Sequence, residues 1–289
     1  MTMSKLSPPH RSFTNKVHHN PYPFISPDRS ELSAAGKHVL VTGGGSGIGK
    51  AISTAFAQAG AASISIIGRR LGHLVAARDE IVKIAADRGH KPKVLIAQAD
   101  LSDWEETSRA FSLFADQVGN LDIIVANAAT LPPMKPVTEL NADDIIGGFK
   151  INVVGTLHTL RAAKTVASND PVFINISSMM YCFPHYGPKM SAYSASKAAA
   201  LTLAEFFAEE NPDIHLVNLH PGVVVTDSNR FGGQDSPELA GHFCVWLASP
   251  EARFLKNKFI SVNWDAEELL QRAKEVLDPL CLRGMQYYT

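Results

Sequence analysis

The sequence predicts an α/β fold, a doubly wound parallel sheet of about seven strands with helices on both faces. Three observations predict it. Short apolar, β-branched runs alternate along the chain with longer segments of helical period. Those runs are apolar on both sides, as strands are when helices cover both faces of a sheet. A glycine-rich turn joins the first strand to the first helix.

The elements follow in order. Residues 1–36 carry Pro8, Pro9, Pro21, Pro23 and Pro27 and form no helix or central strand. They read as an extended N-terminal arm whose Tyr22 and Phe24 can pack on a folded surface, and residues 37–289 read as one domain. Strand His38–Thr42 leads through the glycine turn to helix Gly47–Ala59. Strand Ser63–Ile67 precedes a helix Leu71–Ala86, with Leu74, Ala77, Ile81 and Ile84 on one face. Strand Lys93–Ala97, helix Asp103–Val118 and strand Leu121–Ala126 come next, then one long helix Ala142–Ala167. Strand Pro171–Ser177, helix Ser191–Glu210 and strand Ile214–Leu219 follow. The chain closes with a helix Pro237–Leu247, a strand Phe259–Asn263 and a helix from Asp265. Right-handed crossovers wind such strands in two directions, and ligands bind at the carboxyl ends where the winding reverses.

Composition narrows the function. The chain has 289 residues, 45% apolar and 19% charged, enough to bury a sizeable core. A net charge of −1 without a basic cluster argues against a nucleic-acid surface. Cys182, Cys244 and Cys281 are odd in number and not paired as CxxC, so neither a disulfide framework nor a metal site is expected. No apolar run approaches ~18 residues and no apolar signal region opens the chain, so a cytoplasmic protein without membrane contact is expected.

The turn reads Thr42-Gly43-Gly44-Gly45-Ser46-Gly47-Ile48-Gly49. Glycines there allow positive φ and close backbone approach, and the following helix offers free N–H groups to a pyrophosphate. At the end of the second strand an acidic residue would select NAD through the ribose hydroxyl. This chain has Gly68-Arg69-Arg70 instead. Two guanidinium groups suit a 2′-phosphate, which favours NADP(H) over NAD(H). Downstream, Tyr193 and Lys197 stand four residues apart on one helical face. A nearby ammonium lowers a phenol's pKa and makes it usable in proton transfer.

With these motifs the chain, over about residues 37–263, resembles the short-chain dehydrogenase/reductase family, a Rossmann-type fold. The turn at residues 42–49 matches that family's TGxxxGxG motif. Asp100-Leu101 matches the adenine contact after the third strand. Ala126-Asn127-Ala128-Ala129 stands for the family's NNAG, departing at its first and last positions. Asn152 matches the catalytic Asn, Ser178 the catalytic Ser, and Tyr193 with Lys197 the YxxxK pair. Pro221-Gly222 with Val223 and Thr226 matches the nicotinamide-side loop. Ser178 and Tyr193 lie a little farther apart than is usual, which implies an enlarged loop at 179–192.

By this resemblance Tyr193 exchanges a proton with the alcohol or carbonyl oxygen and Ser178 hydrogen-bonds that oxygen. Lys197 lowers the tyrosine pKa and holds the nicotinamide ribose, and Asn152 holds a water that links Lys197 to solvent. Thr42, Gly43, Gly45, Ser46, Gly47, Ile48, Gly49, Arg69, Arg70, Asp100, Leu101, Asn127 and Ala128 would hold the rest of the cofactor. The apolar 179–192 loop, with Met179, His185 and Tyr186, would face a hydrophobic or aromatic carbonyl compound, and the short segment 227–236 would act as its lid. The stretches Tyr22–Asp28, Trp246–Ala252 and Asn263–Asp265 resemble a fungal subgroup encoded beside secondary-metabolite pathways.

Two other classes stay open at this level: a redox-silent nucleotide-binding scaffold, and a non-redox cyclase or isomerase using Tyr193 as its acid. Helices Ala142–Ala167 and Ser191–Glu210 are apolar nearly all round, which predicts a homodimer or a tetramer of dimers.

Overall fold

The computed structural model describes residues 12–181, 188–226, 229, 232–278, 281–282 and 284. Seven strands form one parallel sheet: β1 (His38–Thr42), β2 (Ser63–Gly68), β3 (Lys93–Gln98), β4 (Leu121–Ala126), β5 (Ala167–Ile176), β6 (His215–His220) and β7 (Phe259–Ser261). Their order is β3-β2-β1-β4-β5-β6-β7. The helices between them are α1 (Gly47–Gln58), α2 (Leu71–Ala86), α3 (Trp104–Val118), α4 (Ala142–Phe149), α5 (Gly155–Val166), α6 (Ser191–Glu210) and α7 (Pro237–Leu247). Two short helices, α8 (Ala266–Gln271) and α9 (Ala273–Val276), follow β7. The doubly wound α/β fold expected from the sequence is the one observed.

Strand alternation splits the interior into two cores. Val39 and Val41, Ile64 and Ile66, Ile123 and Val125 point to the side where Ile52 and Phe56 of α1, Leu74 of α2 and Phe243 of α7 pack. Leu40, Ile124, Phe173 and Leu216 point to the other, against Phe111 and Phe114 of α3, Leu160 of α5 and Ala204 of α6. Side chains of period two on a sheet covered on both faces require this pattern. The edge strand β3 departs from it, since Lys93 and Gln98 at its ends are exposed. Side chains cap the helix starts: Asp103 accepts from Glu106 N–H, Asn141 and Asp144 form a capping box, and Asp265 accepts from Glu268 N–H.

The single long helix expected over Ala142–Ala167 is broken. Residues Lys150–Val154 form a π turn between α4 and α5, and Ala167 already belongs to β5. The hydrogen-bond frame slips by one residue there, with Gly155 N–H on the Lys150 carbonyl. The Asn152 carbonyl accepts from the Thr156 hydroxyl at 2.8 Å.

Residues 12–36 run from the turn after β7, past α7, to the start of β2. Val17 bridges antiparallel to Trp264, and the Tyr22 hydroxyl accepts from Ala266 N–H at 2.8 Å. Ile25 and Leu32, in the turns Pro23–Ile25 and Ser30–Leu32, are fully buried beside α7. Among the described residues no helix is long and apolar enough to cross a membrane. The winding reverses between β1 and β4, which opens a crevice at the carboxyl ends of those strands.

Candidate active site

A cavity of about 1170 Å³ fills that crevice. One end is the turn after β1. Gly43 and Gly47 have φ of 67° and 52°, a region costly for residues with a Cβ. A Cβ at Gly43 would stand 2.9 Å from Asn127 Nδ2, and one at Gly47 3.0 Å from Thr226 Cγ2. Ser46 is the N-cap of α1, and its hydroxyl makes no capping bond. The first-turn N–H groups and the positive end of α1 therefore face the cavity uncapped. Gly45, Ser46, Ile48 and Gly49 line it as well.

Thr42, expected at the cofactor, is instead buried behind the turn. Its hydroxyl accepts from Asn127 N–H at 2.9 Å and Ala128 N–H at 3.1 Å, and Asn127 Nδ2 donates to its carbonyl at 2.9 Å. Thr42 and Asn127 thus lock the ends of β1 and β4 together, while Asn127 and Ala128 reach the wall. Arg69 and Arg70 stand exposed at the rim after β2, with Arg70 Nη2 3.2 Å from Ser46 Oγ. Asp100 and Leu101 complete that end, and the Asp100 carboxylate accepts from Ser102 N–H and hydroxyl at 2.9 Å.

Farther along lie Ser178 after β5, Tyr193 and Lys197 on α6, and Pro221, Gly222 and Val223 after β6, while Thr226 of the same loop reaches back to Gly47. Four-residue spacing sets Tyr193 and Lys197 on one face of α6, as expected. Ser178 hydrogen-bonds Tyr193, which lowers the phenol's pKa, but burial outweighs this and holds it above the ordinary tyrosine value. The ammonium expected to lower it is committed elsewhere: Lys197 Nζ donates to the Ile176 carbonyl at 2.8 Å. Burial pushes that lysine down to about 8.

Asn152 does not reach the cavity wall. Its amide donates to the Thr130 carbonyl at 3.0 Å and to Ser196 Oγ at 2.9 Å, and its Oδ1 accepts from Thr130 N–H at 2.8 Å. It fastens the π turn to the segment after β4 and to α6. Met179 lines the cavity, whereas His185 and Tyr186 lie outside the described residues, as do 227, 228, 230 and 231 of the lid segment.

Sequence reasoning missed His220 and Met134, both on the wall, where Met180 and Met190 of the expected apolar loop also lie. The signal for His220 was present, since the carboxyl end of β6 immediately precedes Pro221. Burial drives its imidazole down to about 4, against the opposing charge of Asp235, so it is neutral. Its Nδ1 accepts from Met179 N–H at 3.4 Å. Among the described residues no group of three or more His, Cys, Asp or Glu could hold a metal ion.

Comparison with known proteins gives the same neighbourhood. The sequence model of the short chain dehydrogenase family matches residues 37–236. A short chain dehydrogenase/reductase of Claviceps purpurea is 31% identical over 252 residues, covering 84% of this chain and 83% of its own. The short chain dehydrogenase mpl6 of Monascus purpureus is 31% identical, covering 93% and 95%. The crystal structure of a Burkholderia cenocepacia short chain dehydrogenase in complex with NADP superposes with a TM-score of 0.70 at 25% identity, covering 81% of this chain and 99% of that one.

Proposed function

This chain belongs to the short-chain dehydrogenases, and on that premise we propose that it is an NADP(H)-dependent oxidoreductase acting on a carbonyl or alcohol group of a hydrophobic or aromatic small molecule of secondary metabolism. One observation carries the reading: Ser178, Tyr193 and Lys197 line the same cavity whose far end holds the glycine turn and the Arg69–Arg70 pair.

The residues fit a nicotinamide dinucleotide. The turn excludes a Cβ at Gly43 and Gly47, and its helix end is left uncapped. Gly43, Gly45, Ser46, Gly47, Ile48 and Gly49 would hold the pyrophosphate, and Arg69 and Arg70 the 2′-phosphate. Asp100, Leu101, Asn127 and Ala128 would hold the adenosine half. Pro221, Gly222, Val223, Thr226, Tyr193 and Lys197 would hold the nicotinamide half. The bound cofactor would supply or accept the hydride.

The chain's own residues handle the oxygen. Tyr193 stays a protonated phenol at neutral pH, which suits it to donate to a carbonyl oxygen that gains charge. Ser178 is placed to give the same oxygen a second hydrogen bond. Lys197 holds positive charge beneath the site, and Asn152 positions α6 through Ser196. Met134, Met179, Met180, Met190, Leu131 and Ile151 give the nearby wall an apolar, adaptable surface, which favours a hydrophobic or aromatic substrate.

We also propose a homodimer, or a tetramer of dimers, formed through α5 and α6, where Leu157 and Phe206 present exposed apolar surface. The test of function follows NADPH absorbance over a panel of hydrophobic and aromatic ketones and aldehydes. Turnover that disappears in Tyr193→Phe supports the reading. Tight NADPH binding with no turnover of any carbonyl compound, or turnover that survives in Tyr193→Phe, would overturn it.

A further inference from the structure

We propose that Asp235, held by His19 of the N-terminal segment, is a positioning residue for the Pro221–Thr226 wall, so that the chain before β1 is a working part of the cofactor site. The inference rests on reading that cavity as the nicotinamide site.

Asp235 is 8% exposed and lies behind the wall. Its Oδ2 accepts from Val223 N–H at 2.5 Å, and its own N–H donates to the Val223 carbonyl at 3.2 Å. One residue therefore grips both polar groups of the Val223 backbone. Gly222, with φ 83°, brings the turn so close that a Cβ would stand 2.6 Å from Asp235 Oδ2. The turn is shaped to the carboxylate.

The carboxylate is in turn held from outside the loop. Oδ1 accepts from His19 Nδ1 at 2.6 Å and from Asn263 Nδ2 at 2.8 Å. An ionised carboxylate only accepts, so His19 Nδ1 carries the proton. The same stretch is stitched in by backbone: Ser236 N–H donates to the His19 carbonyl and His18 N–H to the Asn263 carbonyl, both at 2.9 Å. Asn263 Nδ2 also donates to the His18 carbonyl at 2.9 Å. Residues 19, 235 and 263, from three separate parts of the chain, converge on the back of a turn whose front lines the cavity together with Tyr193 and His220. Charge-assisted hydrogen bonds of this kind hold geometry more stiffly than neutral ones. The turn after β7 supplies Asn263, so the wall, the end of the last strand and the N-terminal segment form one cooperative network.

The full-length protein tests this with His19→Ala, His19→Gln and Asp235→Asn. NADPH affinity is read by fluorescence, kcat and KM by turnover, and folding by the thermal midpoint. His19 is 37% exposed at its side chain, so its replacement leaves the core intact. His19→Ala is expected to weaken NADPH binding and raise KM about tenfold, with kcat held within about twofold. His19→Gln, which can donate from its amide, restores the affinity. Asp235→Asn weakens binding at least as much as His19→Ala, and if it does not fold the two His19 variants decide. A folded His19→Ala that binds NADPH as tightly as the parent overturns the positioning role, as does a His19→Gln that restores nothing. A parent protein that binds no nicotinamide nucleotide overturns the reading of the cavity itself, an outcome visible before any variant is made.

Discussion

Lys197 donates from Nζ to the carbonyl of Ile176 at 2.8 Å, which moors its ammonium to the last residue of β5, two positions before Ser178. The contact fixes α6 against the carboxyl end of the sheet and keeps a positive charge under the site. It also leaves that charge short of water, and burial lowers the lysine to about 8.

The first prediction concerns pH. The folded value lies below the ordinary 10.5, so between about 8 and 10.5 the unfolded chain binds more protons at this group than the folded one. Its contribution to stability therefore rises with pH across that window and is flat below it. Activity moves the other way. Burial holds Tyr193 above the ordinary phenol value, so Lys197 is the first of the two to lose its proton as pH rises and sets the alkaline limit for reduction. A pH–rate profile of kcat/KM should fall as pH rises through about 8. The same profile for Lys197→Met should be low throughout and lack that limb.

Tyr193→Phe should lower the rate of carbonyl reduction by about 10²- to 10⁴-fold, the usual range for one general acid. The ring keeps its volume, and only the hydroxyl and its bond to Ser178 are lost. A single hydrogen bond is worth about 1 kcal/mol, so the thermal midpoint should shift by only a few degrees. Stopped-flow turnover beside a fluorescence titration with NADPH separates the lost chemistry from retained binding.

Much of this site was legible because its parts are local in sequence. Glycines at a strand-to-helix junction and a tyrosine four residues before a lysine carry their geometry with them. What could not be read depends on contacts between distant segments. Nothing between Ala142 and Ala167 marks the π turn, which is tied down by Asn152 on Thr130 and Ser196, 22 and 44 residues away. Thr42 looked like part of a phosphate turn, but hydrogen bonds to Asn127 and Ala128 turn its hydroxyl away from the cavity. Lys197 shares a helical face with Tyr193, yet the carbonyl of Ile176 on another element sets where its charge goes. Asp235 carries no motif, and its role emerges only where residues 19, 223 and 263 meet.

Arg69→Ala should erase most of a preference for NADPH over NADH. Arg69 and Arg70 are exposed at the rim, and Arg70 leans toward Ser46 at the start of α1. A charged hydrogen bond to phosphate contributes about 1.5–3 kcal/mol, or roughly 10- to 100-fold in affinity. NADH binding should be nearly unchanged, because a ribose without a 2′-phosphate offers the guanidinium no anion to bind. Parallel titrations with both nucleotides check this, and a parent protein with equal affinity for the two would refute the assignment.

The last prediction separates two neighbouring phenylalanines on α6. Phe206 is 64% exposed, whereas Phe207 is partly buried and packs against Phe173, with ring centroids 6.3 Å apart. The buried face of α6 runs through Ala200, Leu201, Ala204 and Ala208, which leaves Phe206 on the opposite side. An aromatic ring at that position is expected at an interface between copies of the chain, where a two-fold axis would set α5 and α6 against their mates. Phe206→Glu should then halve the mass in light scattering at micromolar concentration without changing the thermal midpoint of the subunit by more than a few degrees. Phe207→Glu places a charge against the core and should lower stability by about 3 kcal/mol or more whatever the assembly. A parent protein that runs as a monomer, or a Phe206→Glu that keeps the parent mass, would move the interface away from α6.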